Sequence, residues 1–424
     1  MTQKISVPRG TCDILFNDVP LWDELESKAR RILKSYGYRE LRTPIYEETA
    51  LFKRSLGQTS DVVNKQLLEL ATGKEKEEGY ALRPEGTASV VRSYLEHSFD
   101  KQEPLSKFFY IGPMFRGERP QKGRLRQFHQ IGAEAIGING ASAYLDAEIL
   151  ALAMHLLKDF GVKNPKLKIN SLGSKEDKEH ISVWLRGEFT KHKAELCEDC
   201  QNRFERNVFR VLDCKNESCR RVVKSVVKDL PLSQASQEYF KNVQSALDSM
   251  DIPFEIAPHL VRGLDYYTHT VFEITAEGLG SQDAIGAGGR YSGLVQELGG
   301  DAKTDFGAIG FALGMERILL ASGEQPTPLG IDTYVIAMDT AYQKQAFEIV
   351  SHLRKAGIGA DMSYTGGKVG AQMNRANKLN ARFALILGEE EIKTGTVAVK
   401  NMATGTQEHV AVPDLLQYLK KKLG

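Results

Sequence analysis

The residues best suited to chemistry are clustered between Arg116 and Arg126. This stretch holds a single acid, Glu118, and five basic side chains: Arg116, Arg119, Lys122, Arg124 and Arg126. A guanidinium presents a planar fork of N–H donors that fits phosphate oxygens, so a fan of arginines predicts binding of a polyphosphate or a nucleic-acid end. The alternative is a solvated hairpin tip. Pro120 and Gly123 are typical of a defined turn, which favours a ligand-binding loop over a solvated tip.

The segment that follows the loop alternates in character. Phe128, Gln130, Gly132 and Glu134 fall at every second position, so a strand would present them on one face. An aromatic ring, an amide and a carboxylate do not form a core face, because buried polar groups need partners. The face predicts a polar ligand pocket, and an edge strand with one wet face is the alternative.

Three more segments combine polar groups with glycine. Glu85 and Thr87 stand before a predicted helix at 88–96; Thr87 fits an N-cap, but a cap leaves Glu85 unexplained and suggests a ligand. The run at 260–267 joins Arg262 to paired tyrosines. The run at 286–293 lacks the pattern of a phosphate loop and is more typical of a strand that a ligand approaches closely. The segment 310–317 is predicted to be an apolar passage from strand to helix, which taken alone would be core with a surface ion pair.

The elements that must position these residues are indicated by hydrophobic periodicity. Segments 107–116 and 126–137 predict an antiparallel pair of strands joined by the basic loop. Further expected elements are a helix at 19–36, a strand ending at Pro44, a helix at 146–160, a strand at 166–172, strand-like patterning at 259–275 and an apolar helix after Gly310.

Two changes in composition predict the domain organisation. Segment 174–250 is rich in Lys, Glu and Arg and is interpreted as an inserted helical subdomain. Residues 323–330 contain two prolines and two glycines, a composition typical of a domain boundary. Beyond them, strands at 333–338 and 383–388 enclose helices at 341–356 and 367–379, which predicts a small α/β domain with a mainly parallel core. We therefore expect a catalytic core at 1–325 and a second domain at 330–424.

Composition excludes several classes of protein. The 424 residues are 42% hydrophobic and 26% charged, with a net charge of +1, so neither a disordered chain nor a protein coated with basic charge is expected. Nucleic acid would have to bind through local patches. No signal peptide or membrane-spanning stretch is evident, and the odd number of cysteines argues against a disulfide framework. A cytoplasmic protein with reduced thiols and no membrane partner is predicted.

Four of the five cysteines lie in the inserted segment. Cys197 and Cys200 form a CxxC pair, and Cys214 and Cys219 form a looser CxxxxC pair. The pattern is similar to a zinc ribbon, with reduced free thiols as the alternative. We assign no metal ligand from the sequence and leave the two interpretations open.

The segments together resemble the class II aminoacyl-tRNA synthetases. The strand ending at Pro44 resembles their motif 1, Phe115–Glu118 with its loop and return strand resembles motif 2, and Gly310–Arg317 resembles motif 3. LVRGLDYY at 260–267 and AGGRYSGL at 287–294 resemble segments of the histidyl-tRNA synthetases, and the chain is identified as a member of that family of bacterial type. The resemblance implies a mixed α/β (α+β) fold: an antiparallel-sheet catalytic domain with a helical insertion, and a C-terminal α/β anticodon-binding domain.

The resemblance also implies a reaction and its partners. Histidine and ATP, with Mg²⁺, would form histidyl-adenylate, and the histidyl group would pass to the 3′ end of tRNA(His). A homodimer with motif 1 at its interface is implied. Two alternatives are a catalytically silent, histidine-sensing regulatory subunit of ATP phosphoribosyltransferase and another class II synthetase of the same subclass. Arg116, Arg262 and Arg317 together with residues 330–424 favour the ligase over the first, and LVRGLDYY disfavours the second.

The resemblance assigns roles residue by residue. Arg116 and Arg262 would be the catalytic pair at the α-phosphate. ATP would contact Arg116, Glu118, Arg124, Phe128 and Arg317. Histidine would contact Glu85, Gly86, Thr87, Arg116, Gln130, Glu134, Arg262, Tyr266 and Tyr267, with Glu134 accepting from the imidazole N–H and Tyr267 donating to its other nitrogen. Arg119 and Gln121, at the loop tip, would bind the tRNA near the extra 5′ guanosine of histidine tRNAs.

Overall fold

The computed structural model describes residues 4–57, 60, 62–71, 79–121, 123–138, 140–279, 283–325 and 330–424. The chain divides into two compact units, one formed mainly by residues 21–325 and the other mainly by residues 330–424. Lys122, one of the basic residues of the predicted loop, lies outside the described residues. Within the described ranges, no helix combines the length and apolar character needed to cross a membrane.

The first unit contains helices and strands in mixed order. Its helices are α1 (Val19–Ser35), α2 (Thr49–Ser55), α3 (Thr87–Glu96), α4 (Ala143–Asp159), α5 (Lys175–Thr190), α6 (Glu198–Arg206), α7 (Phe209–Leu212), α8 (Glu217–Val226), α9 (Gln234–Ser249), α10 (Gly293–Glu297) and α11 (Met315–Ser322). Its strands are β1 (Arg39–Glu40), β2 (Tyr46–Glu48), β3 (Leu68–Leu70), β4 (Tyr80–Leu82), β5 (Leu105–Phe115), β6 (Gln127–Gly137), β7 (Lys166–Ser171), β8 (Phe254–Ile256), β9 (Thr268–Thr275), β10 (Ala284–Arg290) and β11 (Gly307–Gly314).

An eight-stranded sheet forms the centre of this unit, in the order β1-β5-β6-β11-β10-β9-β7-β8. Strands β5 and β6 pair antiparallel from Leu105↔Gly137 to Phe115↔Gln127, which confirms the predicted hairpin. Odd-numbered residues of β6, such as Ile131 and Ala133, enter an apolar core with α1 and α4. The even-numbered polar residues therefore face the opposite side, where the sheet is not sealed by that core.

Three sequence predictions of secondary structure need correction. Residues 260–267 are a loop and not a strand, and β9 begins at Thr268. Side chains satisfy the backbone of this region: the Asn170 amide donates to the Leu260 carbonyl at 3.0 Å, and Lys178 Nζ donates to the carbonyls of Asp265 and Tyr267 at 2.8 Å. These side chains satisfy backbone carbonyls that a neighbouring strand would otherwise pair. The segment therefore forms a loop, although its residue pattern predicted a strand.

The other two corrections concern motif 3 and motif 1. The apolar run from Gly310 is the strand β11 as far as Gly314, paired on both edges with β6 and β10, and the helix begins only at Met315. Of the predicted strand ending at Pro44, the strand β1 covers Arg39 and Glu40, which lie parallel to β5, and Leu41 adds one backbone hydrogen bond to Phe109. Short apolar runs do not distinguish a buried strand from a buried helix, so periodicity alone could not decide these boundaries.

The second unit is a mixed α/β domain. Its helices are α12 (Gln343–Lys355), α13 (Val369–Lys378), α14 (Glu389–Thr394) and α15 (Leu415–Leu423), and its strands are β12 (Thr333–Ala337), β13 (Ala360–Met362), β14 (Phe383–Leu387), β15 (Thr396–Asn401) and β16 (Gln407–Ala411). The sheet order is β13-β12-β14-β15-β16, with the first three strands parallel. The antiparallel strands β15 and β16 were not predicted. The mixed α/β fold class is confirmed.

Candidate active site

A cavity of about 240 Å³ opens over the polar face of the central sheet. Segments far apart in sequence meet there: the hairpin loop, the start of α3, the 260–267 loop, β10 and the end of β11. The predicted site residues that line the cavity are Glu85, Thr87, Arg116, Glu118, Arg124, Phe128, Gln130, Arg262, Tyr266, Tyr267 and Arg317. The predicted residues outside its lining are Gly86, Arg119, Gln121 and Glu134.

Arg116 stands at the start of the hairpin loop against the ring of Phe128. Its guanidinium carbon lies 5.2 Å from the ring centroid, and its Nε donates to the Pro84 carbonyl at 2.9 Å. Burial lowers the pKa of Arg116, and the nearby Glu118 and Glu85 carboxylates oppose that effect. These contacts fix the orientation of the guanidinium. Because burial removes water from this cation, an anionic ligand in the cavity would stabilise it.

Two more arginines converge on the same side of the cavity. Arg124 forms an ion pair with Glu118 at 3.0 Å. Arg317 donates to the carbonyls of Gly123 at 2.9 Å and Ala284 at 2.5 Å. Burial, followed by the positive charge of Arg124, lowers the pKa of Arg317. Cations held together against their mutual repulsion favour a polyanionic ligand.

The loop has a distinct base and tip. Arg126 donates to the carbonyl of Glu118 at 3.2 Å, while its backbone N–H donates to the carbonyl of Gly10 at 2.7 Å, so this arginine closes the base. At the tip, Gln121 and Arg124 exchange backbone hydrogen bonds of 3.0 and 2.9 Å. Arg119 and Gln121 are exposed and do not line the cavity. The two residues are thus accessible to a large partner while Arg124 faces inward.

Glu134 lies buried beneath the cavity. Its carboxylate accepts hydrogen bonds from the hydroxyls of Thr87 and Tyr291, both at 2.6 Å. Gly310 stands opposite on β11, and a Cβ at that glycine would come within 1.7 Å of Glu134 Oε2. Burial raises the pKa of the Glu134 carboxyl to about 8, against 4.5 for an ordinary glutamate. The Glu134 carboxyl is therefore a closely packed hydrogen-bonding group whose protonation changes near neutral pH.

Glu85 caps a helix, a role that the sequence analysis assigned to Thr87. Its carboxylate accepts from the backbone N–H groups of Thr87 at 2.7 Å and Ala88 at 2.9 Å, so it caps the start of α3. Thr87, predicted as the cap, instead donates its hydroxyl to Glu134. Burial raises the pKa of the Glu85 carboxyl, and the two backbone donors oppose this. Glu85 still lines the cavity and can accept from a positive ligand group.

The glycines around the pocket are required by close packing. The ring of Tyr110 is enclosed by Gly86 and Gly132, and a Cβ on either glycine would lie 2.2 Å from its Cζ atom. Gly86, predicted to bind histidine, therefore has an explanation in packing. Gln130 lies two residues before Gly132 on the same face of β6. Its side chain is buried at the cavity, and its Oε1 atom has no hydrogen-bond partner among the described residues.

Arg262 enters the cavity from the 260–267 loop. Its Nη1 pairs with Glu273 Oε2 at 2.8 Å, while its buried Nε has no partner among the described residues. Tyr266 and Tyr267 follow, with ring centroids 4.6 Å apart. Burial raises the pKa of the Tyr267 hydroxyl to about 12, so the group is a neutral donor at physiological pH. The loop thus contributes one cation and two neutral hydroxyls.

Two residues at the site were missed by sequence reasoning. Tyr291 follows the glycine-rich run and donates to Glu134, yet nothing in its local pattern distinguishes it from a core tyrosine. Glu316 was interpreted as part of a surface ion pair with Arg317, which is wrong. It accepts instead from the backbone and ring nitrogens of His129 at 2.9 to 3.0 Å and lines the cavity.

Comparisons with known proteins agree along the whole chain. A family model described as histidyl-tRNA synthetase matches residues 10–318, and one described as anticodon binding domain matches residues 332–422. A histidine–tRNA ligase of Syntrophotalea carbinolica is 44% identical over 421 residues, which is 99% of each chain. Another from a Geobacillus species is 45% identical over 428 residues, covering 98% of this chain and 99% of the relative.

Solved structures give the same picture. The apo histidyl-tRNA synthetase of S. aureus shares 36% identity, with a TM-score of 0.78 over 98% of this chain and 100% of its own. A Bacillus halodurans protein described as an ATP phosphoribosyltransferase regulatory subunit/histidyl-tRNA synthetase has a TM-score of 0.63 at 19% identity, covering 88% of this chain and 97% of its own. At that identity the second likeness concerns the fold alone.

Proposed function

The chain belongs to the histidyl-tRNA synthetase family and is a histidine–tRNA ligase, and we propose that the cavity over its central sheet is where histidine and ATP react. The observation that carries this assignment is the convergence of Arg116 and Arg262, from a hairpin and a remote loop, on one cavity that also holds Gln130. The substrates are histidine, ATP and tRNA(His). The cytoplasm, where tRNA is charged, is the proposed location.

The first step is attack of a histidine carboxylate oxygen on the α-phosphate of ATP, which breaks the bond to the β-phosphate, releases pyrophosphate and forms histidyl-adenylate. The carboxylate is ionised at neutral pH and needs no general base, so the protein contributes position and charge stabilisation. Arg116 and Arg262 would share the negative charge that develops on the phosphate. Arg317 and Arg124 would hold the outer phosphates, and the ring of Phe128 would stack on the adenine.

Mg²⁺ would neutralise the outer phosphates when bound. It prefers oxygen ligands, and the cavity offers the carboxylates of Glu118 and Glu316 beside the arginines. These two residues would therefore hold the ion together with phosphate oxygens.

Histidine recognition would use the neutral groups and the acids. Gln130 Oε1, buried and unpaired among the described residues, is a suitable acceptor for the α-amino group, with Glu85 adding negative charge. Glu134 would accept from the imidazole N–H, and the neutral hydroxyl of Tyr267 would donate to the other ring nitrogen. For Glu134 to reach the ligand, the contact from Thr87 or Tyr291 must yield.

The function is tested by ATP–pyrophosphate exchange on the purified chain. We expect exchange that requires both histidine and Mg²⁺. Phenylalanine should support it at least ~10⁴-fold less well, because it leaves the polar groups of the pocket unpaired. Exchange with phenylalanine at a comparable rate would refute the proposed histidine pocket.

The tip of the hairpin loop is proposed to bind the acceptor end of tRNA(His). Gln121 is exposed outside the cavity, and its amide offers both a donor and an acceptor to a base edge. We expect Gln121→Ala to slow aminoacylation of normal tRNA(His) by about 10-fold, the discrimination of one base contact. Little loss is expected on tRNA that lacks the extra 5′ guanosine, and pyrophosphate exchange should stay normal.

The outcome separates base reading from phosphate holding. Equal loss on the two tRNAs would mean that Gln121 holds phosphate and does not read a base. Loss of pyrophosphate exchange as severe as the loss of aminoacylation would place the residue in the ATP site.

The chain is further proposed to act as a homodimer through the motif 1 region. Ile45, Tyr46 and Tyr80 are exposed apolar side chains in this region, and the rings of the two tyrosines lie 5.8 Å apart. Such a cluster is typical of an interaction surface. Light scattering should give about twice the chain mass of 47.2 kDa, and Tyr46→Asp should weaken the dimer. A fully active monomer would contradict this proposal.

A further inference from the structure

Four cysteines of the inserted subdomain converge on one point. The sulfurs of Cys197, Cys200, Cys214 and Cys219 all lie within 4.8 Å of one another, and the Cys197 and Cys214 sulfurs are 3.8 Å apart. A tetrahedral zinc with bonds of about 2.3 Å places its sulfurs about 3.8 Å apart. A disulfide would need a sulfur–sulfur distance of about 2 Å.

The helices present these sulfurs in a way that suits a bound cation. Cys197 precedes α6 and Cys200 lies in its first turn, while Cys219 lies in the first turn of α8. Backbone N–H groups donate to two of the sulfurs: from Cys197 to Cys219 at 3.2 Å, and from Asn216 to Cys214 at 3.4 Å. Backbone donors and helix N-termini both favour thiolates, the form that binds metals.

We propose that these four cysteines bind one Zn²⁺ ion. Four sulfur ligands around a single centre are typical of zinc or of an iron–sulfur site. The compact arrangement favours a single ion, because an iron–sulfur cluster distributes its cysteines over several iron atoms. Cys200 and Cys219 are buried and Cys197 and Cys214 half-buried, within the core of a helical subdomain. A structural ion would therefore tie α6 and α8 together.

The two cysteine pairs enclose a segment that reaches the active-site loop. Residues 201–213 run from Cys200 to Cys214 and carry α7. Asn207 donates through its side chain to Asp265 Oδ1 at 2.7 Å, and Arg210 Nη1 donates to the Arg262 carbonyl at 3.4 Å. A Cβ on Gly263 would lie 3.2 Å from the same Arg210 nitrogen. The segment thus packs directly on the loop that carries Arg262.

The ion therefore has a positioning role in this scheme, which rests on the proposed role of Arg262. With both ends of the 201–213 segment held by zinc, Asn207 and Arg210 keep the 262–265 backbone in place. Release of the ion would let the segment move and would misplace Arg262 relative to the α-phosphate. A displacement of about 1 Å at a reacting group can lower a rate by about 10²-fold.

The first test is the metal content of the full chain, produced without a histidine tag and without chelator. We expect about one zinc per chain, the stoichiometry of a four-ligand site. Cys219→Ser should lose most of it, and the matched control Cys12→Ser, at an exposed cysteine outside the cluster, should keep it. A wild-type chain that contains no zinc, or that contains iron in its place, would overturn the proposal.

A second measurement uses the wild-type chain, so it does not depend on the folding of a cysteine variant. The stripped wild-type chain reloaded with Co²⁺ should show the visible absorption of a tetrahedral cobalt–thiolate centre, and one equivalent of Zn²⁺ should abolish it. Absence of that absorption in a chain whose circular dichroism is unchanged would overturn the site.

The positioning role has its own readout. Arg210→Ala should retain zinc while its kcat for histidine-dependent exchange falls about 10-fold or more, with a smaller change in the KM for histidine. If the zinc-free chain, or the Arg210→Ala variant, keeps the wild-type kcat, the positioning role is refuted while zinc binding stands. If zinc is present but no exchange occurs in the wild type, the proposed active site fails and the metal site does not.

Discussion

Replacement of Arg262 by alanine is expected to lower the rate of histidine-dependent ATP–pyrophosphate exchange by about 10²–10³-fold. The guanidinium lines the cavity, its Nη1 is held by Glu273 at 2.8 Å, and its buried Nε has no partner among the described residues. The charge that it would stabilise appears only as the carboxylate attacks the α-phosphate. The loss should therefore fall on kcat, with histidine affinity changed much less.

Two further variants sharpen this experiment. Arg262→Lys keeps the charge but not the planar fork, so an intermediate rate is expected. Arg31→Ala removes an exposed arginine paired with Asp159 on the surface and should leave the rate unchanged. Exchange by Arg262→Ala within a few-fold of the wild type would show that Arg262 does not act on the α-phosphate.

Replacement of Glu134 by glutamine is expected to raise the KM for histidine by about 10–100-fold. The amide keeps the shape of the side chain but replaces one acceptor oxygen by an N–H₂ donor, and a buried donor left without its acceptor costs about 1–3 kcal/mol. The kcat should change less, because the imidazole contact is made in the ground state and the transition state alike. Glu179→Gln, at an exposed position, serves as the matched control.

The same variant makes a prediction about pH. The pKa of the Glu134 carboxyl is about 8 in the folded chain, against an ordinary value of 4.5. Between these values the folded state binds the proton and the unfolded state does not, so the free energy of unfolding falls as pH rises from about 4.5 to about 8. Glutamine removes that dependence. Thermal unfolding should therefore show the variant gaining stability relative to wild type between pH 6 and pH 8.5.

A flat difference between the two proteins across that pH range would show that Glu134 is already ionised in the folded chain. In that case the two hydroxyl donors, Thr87 and Tyr291, outweigh the cost of burying the carboxylate. An unchanged KM for histidine would remove Glu134 from the proposed pocket.

Local rules were sufficient where one element determines the arrangement. The alternation of Phe128, Gln130 and Glu134 follows from the two-residue period of a strand, and the structure places all three on the face that was predicted. The hairpin and the family motifs are equally local, and they led to the family and to the α/β fold class. The short sequence around Arg116 thus contained enough information to predict the hairpin and to propose that its loop binds phosphate.

Tertiary structure decided what depends on partners distant in the chain. Residues 260–267 have the composition of a strand, but Asn170 and Lys178 satisfy their backbone and leave a loop. Glu85 caps α3 because the turn at Gly86, packed on Tyr110, directs its carboxylate back to the helix. The four cysteines could be paired by spacing, yet only the tertiary fold of the helical subdomain brings their sulfurs together. Side-chain partners across such distances are chosen by packing, and no local period encodes them.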